Sequence, residues 1–257
     1  MKKSMFFFLS LAFVIGCLGL AKEAQATSVD LTTGGSGFVD GAFFQWTDLN
    51  HSAVGTGVID PFVRIQANGT EQGYNTDGRP VPFDEKTNAN DTHSLLLSAV
   101  PVVNLSGINY REFLLDIAEP GGDTTFISLD QLKLWLADDP DINTTDLGFF
   151  GTPLFDLDGS EDSSVTLRGD LNPGNGKGDM FLYVPDALFD KQGPQYLYFY
   201  SQFGDSDASF EEWAICHQEG GCLGGGTPPN GVIPEPSSLG LLGIGLLGFW
   251  KRKKTVC

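Results

Sequence analysis

Leu129-Asp130-Gln131-Leu132-Lys133-Leu134-Trp135-Leu136 decides the fold class. It is the best helix candidate in the chain, yet Leu132, Leu134 and Leu136 recur at every second position. A helix groups residues three and four apart, whereas alternation puts one face of a strand toward a core. The stretch is therefore read as a strand. Working outward, the same short apolar segments, broken by Gly, Asn, Asp and Pro, run from residue 38 to 215. Strands are expected at 38–47, 56–66, 94–105, 110–117, 132–137, 147–157, 164–171, 180–184, 196–203 and 210–215. They are rich in Phe, Tyr, Val and Leu, and their spacing is that of an antiparallel pairing. The expected fold is all-β, an antiparallel β-sandwich of jelly-roll-like connectivity.

Both ends of the chain differ from this body. Lys2-Lys3 precedes an apolar run from Met5 to Leu20, and Ala24-Gln25-Ala26 gives the small-x-small pattern that signal peptidase cuts. Residues 1–26 are thus read as a signal peptide, with cleavage set by Ala24 and Ala26. Val14-Ile15-Gly16-Cys17 also loosely fits a lipoprotein box, although Leu18-Gly19-Leu20 continues the apolar run past Cys17. Either route exports the protein.

At the other end, Gly224-Gly225-Gly226-Thr227-Pro228-Pro229-Asn230-Gly231 buries nothing and reads as a flexible spacer over 223–231. Val232-Ile233-Pro234-Glu235-Pro236 follows, then the Gly/Leu segment 237–250 and the basic tail Lys251-Arg252-Lys253-Lys254. Proline removes a backbone donor and fixes φ, so Pro234-Glu235-Pro236 separates the body from a short apolar helix. The basic cluster after that segment keeps its end in the cytoplasm. Residues 239–250 span only about 18 Å as a helix, short of a roughly 30 Å hydrocarbon core, which suits a temporary anchor. The order of triplet, apolar segment and basic tail over 232–257 resembles the PEP-CTERM sorting signal of bacterial envelope proteins. That resemblance implies an exosortase-type transpeptidase as a partner, beside the signal peptidase that the N-terminal pattern calls for, and a passage through the inner membrane. The body is similar to a recurring group of PEP-CTERM surface proteins in Gly73–Pro80, Tyr110–Ile117, Gly178–Phe181 and Phe210–Ala214. The likeness implies one domain, 27–222, set at a cell surface or in an extracellular polymer.

Composition narrows the function. The formal charge is −18, but residues 27–233 hold 8 Lys+Arg against 31 Asp+Glu, a net −23. Such a surface repels nucleic acid and favours cations. Asp156-Leu157-Asp158-Gly159-Ser160-Glu161-Asp162 and the run from Asp170 to Asp179 crowd oxygen ligands into glycine-softened loops. Ca²⁺, with several oxygens and loose geometry, is the cofactor this composition suits. Its candidate ligands are Asp156, Asp158, Asp162, Asp170, Asn172 and Asp179; ordinary Asx turns are the alternative.

Cys17 leaves with the signal peptide and Cys257 lies beyond the basic tail, so the body keeps Cys216 and Cys222. In an exported chain these are expected to form a disulfide. His217 between them leaves an incomplete zinc set.

No Gly-x-Ser-x-Gly elbow, His-Glu-x-x-His helix or phosphate loop is present. His51 and His93 each precede Ser, which is no triad in itself. No catalytic residue is assigned. The expectation is a non-catalytic structural or adhesive component of an exopolysaccharide or biofilm. The alternative is a glycoside hydrolase built on the strand carboxylates Glu112, Asp116, Glu211 and Glu212. Tyr196, Tyr198 and Tyr200 share one strand face, either buried or presented as a stripe to sugar rings.

Overall fold

A computed structural model describes residues 27–47, 59–118, 126–171, 178–189, 192–193, 195–207, 209–216 and 222. In chain order its strands begin with β1 (Thr27–Asp30), β2 (Ser36–Val39), β3 (Ala42–Trp46), β4 (Ile59–Ile65) and β5 (Asn68–Tyr74). β6 (Leu95–Leu96), β7 (Val102–Leu105), β8 (Ile108–Ile117) and β9 (Phe126–Ala137) follow. The last are β10 (Phe155–Asp156), β11 (Ser163–Arg168), β12 (Met180–Pro185), β13 (Tyr196–Asp207) and β14 (Glu211–Cys216). Only three short 3₁₀ turns interrupt them among the described residues.

The strands form two sheets, ordered β1-β11-β9-β13-β5 and β2-β3-β12-β8-β14-β4, with β10, β6 and β7 appended. The chain changes sheet seven times: between β1 and β2, β4 and β5, β6 and β7, β8 and β9, β11 and β12, β12 and β13, and β13 and β14. This is a jelly-roll-like sandwich, as the alternation requires, because each sheet must bury one apolar face against the other. Pairing is antiparallel except for β1 beside β11. The shared core includes Phe62, Phe113, Phe199 and Trp213, with Phe199 and Trp213 ring centroids 4.7 Å apart. Trp213 Nε1 donates across the core to Ser201 Oγ at 3.1 Å, so its one polar atom is satisfied.

The outer faces of both sheets are also covered. Tyr74, Trp135, Tyr198 and Tyr200 form a second apolar cluster with Phe83, Ile142, Leu147 and Phe150. Buried phenols need partners. Tyr74 donates to Thr144 O, Tyr198 to Asp139 O and Tyr200 to Gln72 Oε1. The polar segment after β5 is a fixed strap over this sheet. Asn75 Nδ2 donates to Leu197 O while its Oδ1 accepts from Phe199 N, and the Arg79 guanidinium donates to four carbonyls, of Thr76, Gly78, Thr87 and Thr92. On the other sheet, Phe43, Ile59, Val103, Leu105, Tyr110, Leu114, Phe181, Tyr183, Ala214 and Cys216 form the third cluster.

Several expected strands are redrawn. The segment 38–47 is a hairpin, because Asp40 (φ 46°) and Gly41 (φ 84°) supply the two positive φ values of a type I′ turn. Residues 94–105 divide into β6, a 3₁₀ turn and β7. Most of 147–157 is not strand. Leu147–Phe150 is a 3₁₀ turn capped by Asp146, leaving only Phe155–Asp156 to pair with β9. β1 and β5 were not foreseen, since Thr27–Asp30 and the polar Asn68–Tyr74 carry no apolar alternation. The expected C-terminal apolar helix lies outside the described residues.

Candidate functional site

The outer face of the sheet that contains β8 gathers four of the buried acids among the described residues, Glu112, Asp116, Asp179 and Glu212. Alternation along β8 sends Phe113, Leu115 and Ile117 into the core and Glu112, Leu114 and Asp116 outward. Register then sets their neighbours. Glu112 faces Tyr183 on β12, while Asp116 faces Glu212 on β14, and Glu212 faces Arg64 on β4. Asp179, one residue before β12, is fixed by its N–H to Leu115 O (2.7 Å) and by Thr47 N to its own carbonyl (2.9 Å).

A polar row results, from Asp179 through Asp116 and Glu212 to Arg64 and Asp91. Arg64 Nη1 meets Asp91 Oδ1 at 2.7 Å, and Arg64 Nε donates to Glu212 Oε2 at 2.5 Å. Arg64 also lies over the Phe210 ring, 4.5 Å from its centroid. Burial pushes the Glu212 carboxyl up, and the Arg64 charge opposes that. Asp179 is pushed well up by burial, against the Ile117 N–H it accepts at 2.7 Å and with the Asp116 charge adding to the rise. One arginine thus offsets only part of the cost of withdrawing this row's carboxylates from water.

At the other end of the same face, Glu112 lies against the Cys216–Cys222 disulfide. The two Cα atoms are 5.2 Å apart, and Cys222 N donates to Glu112 Oε1 at 2.6 Å. The carboxylate oxygen and the two sulfurs all lie within 4.8 Å of one another, the one such cluster among the described residues. Burial drives Glu112 up to about 7, against the Cys222 N–H and the adjacent Tyr183 hydroxyl, which favour its charged form. The Tyr183 hydroxyl has no strict hydrogen-bond geometry to any described atom, but it sits close enough to the carboxylate to steady its charge. Cys216 is buried and Cys222 half-buried.

The calcium candidates are placed separately. Asp158 comes within electrostatic reach of Asp156, Asp162 and Lys133. Oxygens of the first two already serve the chain: Asp156 Oδ2 pairs with Lys133 Nζ (3.2 Å), and Asp156 Oδ1 accepts from Asp158 N (3.1 Å). Asp158 Oδ1 accepts from Ser163 N (3.0 Å). Asp170 pairs with Arg168, while Asp179 belongs to the sheet row described above, and Asn172 lies outside the described residues. His93 sets its ring nitrogens 2.9 Å from the carbonyls of Ser94 and Pro61. His51 and His217 lie outside the described residues, as do Ala24, Ala26, Pro234, Glu235 and Pro236. Tyr198 and Tyr200 are buried on one face and Leu197 and Phe199 on the other, so the tyrosines form no exposed stripe.

Sequence reasoning missed Tyr183, Arg64 and Asp91 as parts of these groups. Nothing in the chain order could reveal them, because their meeting depends on which strand lies beside which.

No curated protein and no solved structure matches the chain. Residues 232–253 match the family described as the PEP-CTERM protein-sorting motif. The motif marks an exported protein, anchored transiently in the membrane and sorted by an exosortase-type system.

Proposed function

We propose that this is an acidic, non-catalytic component of the cell surface or extracellular matrix, released there by exosortase-type processing and acting structurally or adhesively within exopolysaccharide. Signal peptidase and an extracellular polysaccharide complete its partners. The observation that supports this reading is the burial of the strand carboxylates. Glu112, Asp116, Glu211 and Glu212 are each no more than 4 % exposed. A glycoside hydrolase must bring two carboxylates to either side of a bound sugar, in contact with water. Carboxyls withdrawn from water to this extent are poorly placed for that, whereas the net −23 of the body is available to cations within a polyanionic matrix.

The test pairs two assays on the mature exported protein. Incubation with a panel of polysaccharides should release no reducing ends above a heat-treated control. Extracellular polymer from the producing cells, sedimented with and without the protein, should retain it. Reducing-end release that Asp116→Asn or Glu212→Gln abolishes would establish the hydrolase instead.

A further inference from the structure

We propose that Glu112 is the acid–base group of a reducible Cys216–Cys222 disulfide, giving and taking the proton of Cys216 as a thiol reductant opens the bond. This assigns a redox-active site to the sandwich and is independent of any role in a matrix. The geometry that carries it is the convergence of one buried carboxyl and both sulfurs within 4.8 Å, beside the apolar cluster at this end of the face.

The two sulfurs are not equivalent. Cys216 ends β14 and is 3 % exposed, whereas Cys222 is half-buried and so the more exposed of the two. Attack at the Cys222 sulfur forms a mixed disulfide and breaks the Cys216–Cys222 bond, sending its electron pair onto the Cys216 sulfur. A thiolate left in that apolar pocket is strongly disfavoured. Protonated Glu112 supplies a proton to it, leaving a neutral thiol and a carboxylate steadied by Cys222 N–H and Tyr183. A second thiol of the reductant then resolves the mixed disulfide, leaves as its own disulfide and frees Cys222. Overall, two thiols are oxidised and two cysteines reduced. In the reverse direction, the Glu112 carboxylate removes the Cys216 proton as that sulfur attacks the mixed disulfide. A carboxyl that titrates near neutrality suits both directions.

The other titratable groups around Glu112 are few among the described residues. Tyr183 faces it from β12, and Tyr110 packs on Tyr183 with ring centroids 6.5 Å apart. Arg111 and Asp186 are satisfied by each other at 2.8 Å. A single inflection assigned to Glu112 is therefore the expected signature.

The experiment measures the rate at which dithiothreitol reduces the protein between pH 5.5 and 8.5, divided by the thiolate concentration at each pH. In the wild type this corrected rate falls as pH rises through about 7, as the acid is lost. Glu112→Gln is slower at pH 6 by about 100-fold and shows no inflection. Tyr183→Phe keeps the inflection but moves it to higher pH, because a group that favours the carboxylate has gone; this variant serves as the check if Glu112→Gln does not fold. A Glu112→Gln profile that overlays the wild type, or an inflection unmoved in Tyr183→Phe, overturns the assignment.

Discussion

Replacing Glu112 by Gln should make the protein more stable at high pH and leave it unchanged in acid. The carboxyl is held at about 7 in the folded protein against an ordinary 4.5, with burial as the largest cause. The folded state therefore binds the proton more tightly than the unfolded chain. Stability tied to this group is fully present below about pH 4.5 and is lost as pH rises through 7. Each tenfold change in a protonation equilibrium corresponds to about 1.4 kcal/mol, so the charged carboxylate costs the fold about 3 kcal/mol at pH 8.5. Gln keeps an oxygen to accept the Cys222 N–H and carries no charge at any pH. The variant and wild type should thus unfold alike at pH 4, while at pH 8.5 the variant gains about 3 kcal/mol. For a domain of this size that is roughly 6–12 °C in Tm. Urea unfolding followed by Trp fluorescence, with the disulfide kept oxidised, reads the difference at each pH. A difference that does not change with pH, or a variant less stable at pH 8.5, would refute the burial argument.

Arg111→Met should cost about 3–5 kcal/mol, because Asp186 is left buried without its partner and two carbonyls, of Leu97 and Val100, lose their donor. The double variant Arg111→Met/Asp186→Leu should recover much of that in the same urea measurement; equal losses in both would remove the ion-pair explanation. Millimolar Ca²⁺ should give no saturating rise in Tm over EDTA at equal ionic strength, since the oxygens of Asp156 and Asp158 already serve Lys133 and backbone N–H groups. A saturating rise would restore a bound ion to the 156–162 loop. Mass spectrometry of surface-released protein should find a C-terminus near Pro236, and retention of residues 251–257 in cells with an active exosortase would count against removal of the signal.

The class of fold was legible because alternation survives in the chain even where it is disturbed. In β9 the apolar side chains at Ile127 and Leu129 are followed by Leu132 and Leu134, with one extra residue between the pairs. A register shift opposite Gln202 and Phe203 accounts for that extra residue, a β-bulge that turns a spacing of two into three. Leu129, Leu132 and Leu136 consequently mimic the i, i+3, i+7 stripe of a helix, which made this segment ambiguous. The turn at Asp40-Gly41 carries an Asp-Gly pair between apolar runs, a signal that the single strand expected at 38–47 passed over. β5 was not. Its residues Asn68, Gly69, Thr70, Glu71, Gln72 and Gly73 have little strand character, and pairing along the edge of β13 fixes them instead.

The chemistry was legible only as residue types. Alternation alone places Glu112 and Asp116 on the outward face of β8, yet outward in a two-sheet sandwich ordinarily means toward water. Here that face is withdrawn from water, with an apolar cluster around Glu112, so the same carboxyls become buried groups whose protonation is linked to stability. Cys216 and Cys222 were recognisable as a disulfide pair, but the neighbour that gives it chemistry lies more than a hundred residues earlier in the chain. It is brought there by the pairing of β8 with β14. Long-range register converts a plain structural bridge into a sulfur–carboxyl site. The same pairing places Glu212 beside Asp116 and divides one face into an ion-paired row and a nearly apolar pocket. Arg64 offsets the buried charge at the first end only. At the second, burial leaves Glu112 to respond to pH by taking up a proton.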